Sequence, residues 1–179
     1  MRARLNPQFS DLLLRIGNGT QPTVGDSRIQ LPSSILIPFL DDAASLDELI
    51  SAVYPSLTDF IHNTSAVINR AILTTTNEFV HHINNLLIER FLGKVTRYIS
   101  FDQTIDPSKQ ANHGDFLNTI QPPRLPPHEL ILKPYCPIIL LRNLNPAEGL
   151  CNGTRLTCLN FARNLIHAQI ASGNHIGKQ

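Results

Sequence analysis

The sequence has little charge and no marked excess of either sign. Charged residues make up 16% of its 179 residues, and the formal net charge is +1. A protein that attracts nucleic acid through its overall field needs a clear surplus of lysine and arginine. That mode of binding is therefore excluded, and any contact with DNA must come from a local group of residues.

Cysteines are few and long apolar runs are missing. The chain has no tryptophan and three cysteines, Cys136, Cys151 and Cys158, none of them in a CxxC pair. This number and spacing disfavour a disulfide framework or a zinc site and favour free, mostly buried thiols. No apolar run approaches the roughly 20 residues that cross a bilayer, and the first residues lack the pattern of a secretory signal. We therefore expect an intracellular protein with no membrane partner.

The sequence also lacks a phosphate-binding loop of the form GxxxxGK[ST]. The nearest approach, residues 173–179, has three residues between its glycines and a glutamine after its lysine, so the hydroxyl that would hold magnesium is missing. His81 and His82 point about a hundred degrees apart on a helix and do not form a ligand pair. No set of nucleophile, base and orienting group can be assembled from the sequence.

Capping residues and apolar periodicity predict two helices in the first half of the chain. Asn6, followed by proline, predicts the start of a helix that ends at Gly17. A short strand is expected at residues 35–37. The capping box Ser45–Glu48 predicts the start of a second helix, and the acidic pair Asp41 and Asp42 is explained by the positive end of a helix dipole. A further helix is expected through Phe60.

A strand, a polar turn and a helix follow each other from Ala71 onwards. Residues 71–74 form a short β-rich run, and residues 75–78 are a capping box that opens a helix ending at Gly93. This is the β–α unit of an α/β domain. The turn formed by Thr74, Thr75, Thr76 and Asn77 presents hydroxyls, an amide and helix-start N–H groups, which can hold a phosphate. A helix cap and a phosphate contact account for these residues equally well.

The last third of the chain has the signals of small β-structure. A strand over residues 95–101, a polar loop over 102–114 and a short helical turn over 115–120 lead to a proline-rich stiff linker over 121–127. Turn signals, among them Asn152-Gly153, separate the segments that follow. Four strands at close spacing predict a small barrel or sandwich, and they cover residues 129–133, 137–142, 153–159 and 164–171.

Six short segments, taken together, resemble a known protein family, although each segment alone is too short to be specific. They occur in a fixed order along almost the whole chain, at Met1–Ala3, Asp11–Gly19, Ala71–Asn77, Leu125–Leu130, Pro137–Asn145 and Gly149–Leu156. Together they resemble the PIF-type (petite-integration-frequency) DNA helicases, especially the plant and transposon-borne branch. Tyr135 departs from the family, whose members usually carry a glycine before the Cys-Pro of the barrel strand.

The resemblance implies a fold and a domain organisation. Members of the family are superfamily-one motors with two RecA-like domains, and the second domain contains an inserted small β-barrel. The expected fold is therefore α/β, an incomplete RecA-like second motor domain with an inserted barrel. Residues 1–120 would be part of the motor domain, residues 121–163 the barrel, and residues 164–179 the return towards the motor.

The resemblance also implies an activity and the residues that serve it. The parent activity is ATP-dependent 5′-to-3′ unwinding of DNA, which in such helicases serves DNA repair, recombination and telomere maintenance in the nucleus or the mitochondrion. Arg2 would contact the nucleotide across the domain interface. The partner would be single-stranded or forked DNA, whose backbone the barrel and the motor would touch through Thr74, Thr75, Thr76, Asn77, Asn152 and Gly153.

ATP and Mg²⁺ are the cofactors of the full-length family, and none is expected for this chain alone. It is expected to be an incomplete copy that begins at the arginine and stops before the motor domain closes. Two other functions stay open from the residues. One is a free-standing DNA-binding module, and the other is an interaction fragment without catalytic or nucleic-acid function.

Overall fold

The computed structural model describes residues 6–55, 57, 67–105, 110–120 and 125–179, with the side chains of residues 110–114 left out. Within these ranges the chain is a mixture of helices and small sheets, as the α/β prediction requires. It divides into two compact units, the first ending at Glu48 and the second beginning at Leu49. Arg2 and the helix expected through Phe60 lie outside the described residues.

The first unit begins with a helix that has the predicted boundaries. Helix α1 covers Pro7–Gly17, and the side chain of Asn6 caps it by accepting a hydrogen bond from the Phe9 N–H at 3.0 Å. Two very short strands follow, β1 at Thr23–Val24 and β2 at Arg28–Ile29, paired antiparallel. The capping asparagine and the terminal glycine were therefore sufficient to locate α1.

Two predictions in this part of the chain are wrong. Residues 33–35 form a turn of 3-10 helix where a strand was expected from Ile35. Helix α2 covers Asp42–Val53 and so starts before the expected capping box. Asp41 is its cap, since its carboxylate accepts from the Ala44 N–H at 2.8 Å, and Ser45 lies inside the helix with its hydroxyl accepting from the Leu40 N–H. Aspartate caps a helix as well as serine does, and Asp41 lies earlier in the chain, so the helix starts there.

The second unit contains the remaining helices and strands. Helix α3 precedes strand β3, helix α4 follows it, and four strands complete the unit. Their bounds are Asn77–Arg90 for α3, Thr96–Ile99 for β3, Gln110–Thr119 for α4, Glu129–Leu132 for β4, Pro137–Ile139 for β5, Arg155–Ala162 for β6 and Leu165–Ile170 for β7. A turn of 3-10 helix at Pro146–Glu148 connects β5 to β6.

The strands of the second unit form two small antiparallel sheets. Strand β3 pairs with β4 from Thr96 opposite Leu132 to Ile99 opposite Glu129. Strand β6 lies between β5 and β7, and a register shift interrupts its pairing with β7 at Cys158. None of the sheets within the described ranges closes into a barrel. All four strands expected after residue 128 are confirmed, although the closed barrel is not seen.

The strand predicted at residues 71–74 is wrong. These residues are irregular and pair with no strand among those described, and the Thr74 hydroxyl instead donates to the backbone oxygen of Thr76 at 2.9 Å. A β-rich composition stabilises a strand only through packing and a neighbouring ladder. Helix α4 begins at Gln110, inside the loop expected over residues 102–114. The prediction placed its start too late because the polar sequence has no apolar periodicity that would indicate a helix.

The core of the second unit lies between α3 and the two larger sheets. Its buried members are Val67, Phe91, Leu132, Cys136 and Cys158. All three cysteines are free, and Cys136 and Cys158 are buried as expected while Cys151 is partly exposed. Within the part of the chain described, no helix is long and apolar enough to cross a membrane.

Candidate nucleic-acid interface

The turn before α3 holds the polar residues singled out from the sequence. Thr76 is the cap of the helix, and its hydroxyl accepts from the Phe79 N–H at 3.4 Å. This is one residue later than the capping box predicted. Thr75 and Asn77 are exposed beside it, whereas Thr74 is partly buried. The cap interpretation is thus confirmed for Thr76, and the exposed neighbours leave room for a phosphate at the helix start.

Thr74 also lines a cleft that the sequence did not reveal. The cleft has a volume of about 250 Å³ and lies within the second unit. Its walls are largely apolar, with Ile83 and Leu87 from α3 and Ile138 from β5. Its polar lining consists of Tyr54, Arg70, Thr74, Asn84 and Arg155.

Two arginines from distant parts of the chain reach this cleft. The Arg70 guanidinium donates to the backbone oxygen of Val53 at 2.8 Å, and that of Arg155, at the start of β6, donates to the backbone oxygen of Ile68. Each bond uses one nitrogen of a group that carries several N–H donors in a fixed fork. The two guanidinium groups are therefore held in place while donors remain for a ligand.

The charge in the cleft is of one sign. Its lining among the described residues contains both arginines and no aspartate or glutamate. Neither arginine forms an ion pair with a carboxylate in the described ranges. Burial raises the pKa of the Tyr54 hydroxyl, and the positive charges of Arg155 and Arg70 partly oppose that rise. Two positive charges of a chain whose net charge is only +1 thus meet in this cleft.

The second predicted pair, Asn152 and Gly153, lies at a turn just before β6. Gly153 has a φ of 86°, which favours glycine, and its N–H donates to the Leu140 oxygen at 2.8 Å. The N–H of Asn152 donates to the Asn143 side chain at 2.8 Å, and both turn residues are exposed. Arg155 follows this turn after Thr154, and it lines the same cleft as Thr74.

Sequence analysis did not find Tyr54, Arg70 or Arg155. Arg70 stands directly before the β-rich run at residues 71–74, and Arg155 lies next to the last residue of the segment Gly149–Leu156. A single arginine has no periodic pattern that would mark it as a binding residue. These two become candidates only because the fold brings both of them to one cleft. The available signal was their position beside the two polar turns.

A serine, an aspartate and a histidine meet at the end of β3. Asp102 Oδ2 lies 2.7 Å from both the Ser100 hydroxyl and His128 Nδ1, and the hydroxyl lies 2.8 Å from the same ring nitrogen. In a nucleophilic triad the serine and the acid contact opposite nitrogens of the ring. Here both contact Nδ1, so the cluster ties β3 to the start of β4 and does not activate a nucleophile. No cluster of metal-binding side chains is found in the described part of the chain.

The comparison with protein families gives one match, in the second half of the chain. Residues 115–161 match the 2B domain of the DNA helicase Pif1. This segment, called the 2B segment below, runs from within α4 into β6 and covers a minority of the chain. The matched segment is therefore similar to one domain of a Pif1-type DNA helicase. A comparison with curated proteins gives no match.

The 2B segment contributes to the features described above. It contains His128, the turn Asn152-Gly153 and Arg155. Residues outside it supply the other half of the cleft, with Arg70 and the turn before α3. Strand β3 lies before the segment and pairs with β4 inside it.

Proposed function

We propose that this chain is the DNA-tracking part of a Pif1-like helicase. The observation that carries the proposal is the match of residues 115–161 to the Pif1 2B domain. In this proposal residues 1–120 belong to a second RecA-like motor domain of the plant and transposon-borne branch, and residues 121–163, which overlap most of the 2B segment, are its inserted small barrel. The mixture of helix and sheet and the strands after residue 128 support it.

The DNA contacts in this proposal are made to backbone phosphates. Thr75 and Asn77 are exposed at the start of α3, and Asn152 and Gly153 are exposed at the hairpin turn. Hydroxyls, amides and helix-start N–H groups are common phosphate partners, and they position a strand without reading its sequence. The partner is single-stranded or forked DNA, encountered in the nucleus or the mitochondrion.

ATP and Mg²⁺ belong to the complete helicase in this proposal. The sequence contains no GxxxxGK[ST] loop, and Arg2 would contribute its charge to a nucleotide held by another domain. The 179-residue chain alone should therefore hydrolyse no ATP. Single-strand-stimulated ATPase activity of the purified chain would contradict this part of the proposal.

A binding titration tests the proposed DNA contact. The full chain is titrated with a fluorescent single strand at two salt concentrations, and the affinity should fall as salt rises because phosphate contacts release counterions. Asn77→Ala should weaken binding about threefold to tenfold through loss of one amide contact, since a hydrogen bond contributes roughly 0.5–1.5 kcal/mol. Asn85→Ala, an exposed change further along α3, is the matched control and should leave the affinity unchanged. Absence of binding at low salt would overturn the proposal.

A further inference from the structure

The cleft lined by Arg70 and Arg155 has the charge of a site for an anion. Both arginines line it, and its described lining has no carboxylate to neutralise them. Their anchoring bonds to the oxygens of Val53 and Ile68 fix both groups before any ligand arrives. An anion entering between them therefore meets donors that need little reorganisation, and planar guanidinium forks match the geometry of phosphate oxygens.

The remaining lining fits a planar, weakly polar group beside that anion. Ile83, Leu87 and Ile138 provide apolar walls, and the ring of Tyr54 stands among them. The Asn84 amide offers both a donor and an acceptor at the wall formed by α3. A ligand with a phosphate at one end and a nucleobase at the other satisfies both halves of the lining.

The size of the cleft limits how much of a strand it can take. Its volume of about 250 Å³ is below the range of roughly 300–1,000 Å³ typical of pockets for drug-sized ligands. A single nucleotide unit is of the appropriate scale, and a longer stretch of strand is not. Thr74 lines the cleft and the exposed Thr75 follows it, so a strand leaving the cleft would pass the start of α3.

We propose that the cleft receives one nucleotide of a bound single strand, with its phosphate between Arg70 and Arg155 and its base against Tyr54 and Ile138. This inference rests on the proposed function, and it adds that the chain holds a base as well as the backbone. The contact needs no particular base, because every base has a flat face that can pack on an aromatic or apolar wall.

Two probes separate a base contact from a backbone contact. The full chain is titrated with a labelled oligothymidylate of about twelve nucleotides and with an abasic strand of the same length, which keeps the phosphates and lacks the bases. The oligothymidylate should bind about tenfold more tightly, as expected for one well-packed base. Equal affinity for both strands would overturn the cleft inference and leave the proposed backbone contact intact. Binding of neither strand would overturn the proposed function itself.

Three variants locate the effect. Ala71→Phe adds a ring to the cleft lining without removing a hydrogen-bonding group, and it should abolish the preference for the base-carrying strand. Arg70→Gln should weaken binding of both strands and reduce the salt slope by about one. Arg163→Gln removes the same charge from the exposed turn between β6 and β7, outside the cleft lining, and should change neither result. A preference for bases that survives Ala71→Phe would contradict the placement in this cleft.

Discussion

Tyr135 is held in a backbone conformation that favours glycine. Its φ is 65°, and the N–H of Cys136 donates to the Lys133 oxygen at 3.2 Å across the turn. A proline followed by a residue of positive φ is the pattern of a type II turn, whose third position normally carries glycine. The N–H of Tyr135 also donates to the Cys158 oxygen at 2.8 Å, which keeps the turn against β6. Tyr135 therefore stands at a position that favours glycine, and the turn forms nonetheless.

The strain at Tyr135 can be measured with a pair of small residues. Tyr135→Gly should be more stable than Tyr135→Ala by about 0.5–1 kcal/mol, because the left-handed conformation costs alanine more than flexibility costs glycine. Denaturant unfolding of both variants gives the difference. The same pair at Asn85, inside α3, is the control and should show alanine as the more stable residue by about 1 kcal/mol. Equal stability of the two variants at position 135 would show that the turn relaxes.

The cluster of Ser100, Asp102 and His128 should make stability depend on pH in the acid range. The hydrogen bond from Ser100, and after it that from His128, lowers the pKa of Asp102 below its usual value. The folded state therefore favours the carboxylate, and the resulting stability is present above the unfolded pKa and is lost as the pH falls through the lowered pKa.

Asp102→Asn tests this cluster. The variant should be less stable than the parent at neutral pH, and the two should converge in strong acid, where the parent carboxylate is also neutral. Thermal melting across the pH range measures the gap. Asp115→Asn, a change of an exposed carboxylate on α4, should show no such convergence. A gap that stays constant with pH would mean that Asp102 contributes by shape and not by charge.

Among the elements, the end of α3 depends on one lysine from the sheet. Lys133 is only 8% exposed, and its ammonium group donates to the backbone oxygens of Glu89 at 3.1 Å and Phe91 at 2.7 Å. The last carbonyls of a helix have no partner within it, and a cation there also satisfies the helix dipole. Lys133 thereby fastens α3 to the end of β4.

Replacing this lysine should loosen that junction. Lys133→Met keeps an unbranched chain of similar length and removes the donors, so the variant should lose about 1–3 kcal/mol of unfolding free energy because both hydrogen bonds of the buried ammonium group are lost. Chemical denaturation measures the loss. Lys94→Met, at an exposed position between α3 and β3, is the control and should fall within about 0.5 kcal/mol of the parent. A small loss at both positions would mean that water replaces the ammonium group.

Local signals in the sequence located elements well where the deciding residues are neighbours. Asn6 and Gly17 fix the ends of α1 because a cap and a stop act within one turn. The strand prediction at residues 71–74 was wrong because a strand forms only when another segment of the chain pairs with it. A window of four residues contains no information about such a partner. The start of helix α4 was predicted five residues too late, at residue 115 instead of Gln110, since its polar residues carry no apolar stripe.

For the molecule as a whole, the contacts that matter most join residues far apart in sequence. Arg155 bonds to Ile68, and the Tyr98 hydroxyl bonds to the oxygens of Ala162 and Leu165, both at 2.8 Å. Neither periodicity nor spacing in the sequence predicts contacts between such distant residues. The cleft could therefore not be predicted from the sequence, although both arginines are present in it. The predicted boundaries at residues 120 and 163 remain predictions. The pairing of β3 with β4 joins residues on either side of the boundary at residue 120, and the pairing of β6 with β7 does the same at residue 163.

The two sheets of the second unit also differ in when they can form. Strands β6 and β7 are joined by Arg163 and Asn164 alone, whereas β3 and β4 must meet across the whole of α4. Closing the longer connection costs more chain entropy before any contact offsets it, so the hairpin should assemble early and the β3–β4 pair late. Ile166→Val, in β7, should then mainly slow folding, and Ile131→Val, in β4, should mainly speed unfolding.

Stopped-flow kinetics of the two variants distinguishes these effects, and the reverse assignment would contradict the order. If the order holds, the β4 strand of the 2B segment takes its place only after β6 has its hairpin partner. The segment would then acquire its complete structure through residues that lie on both sides of it in the chain.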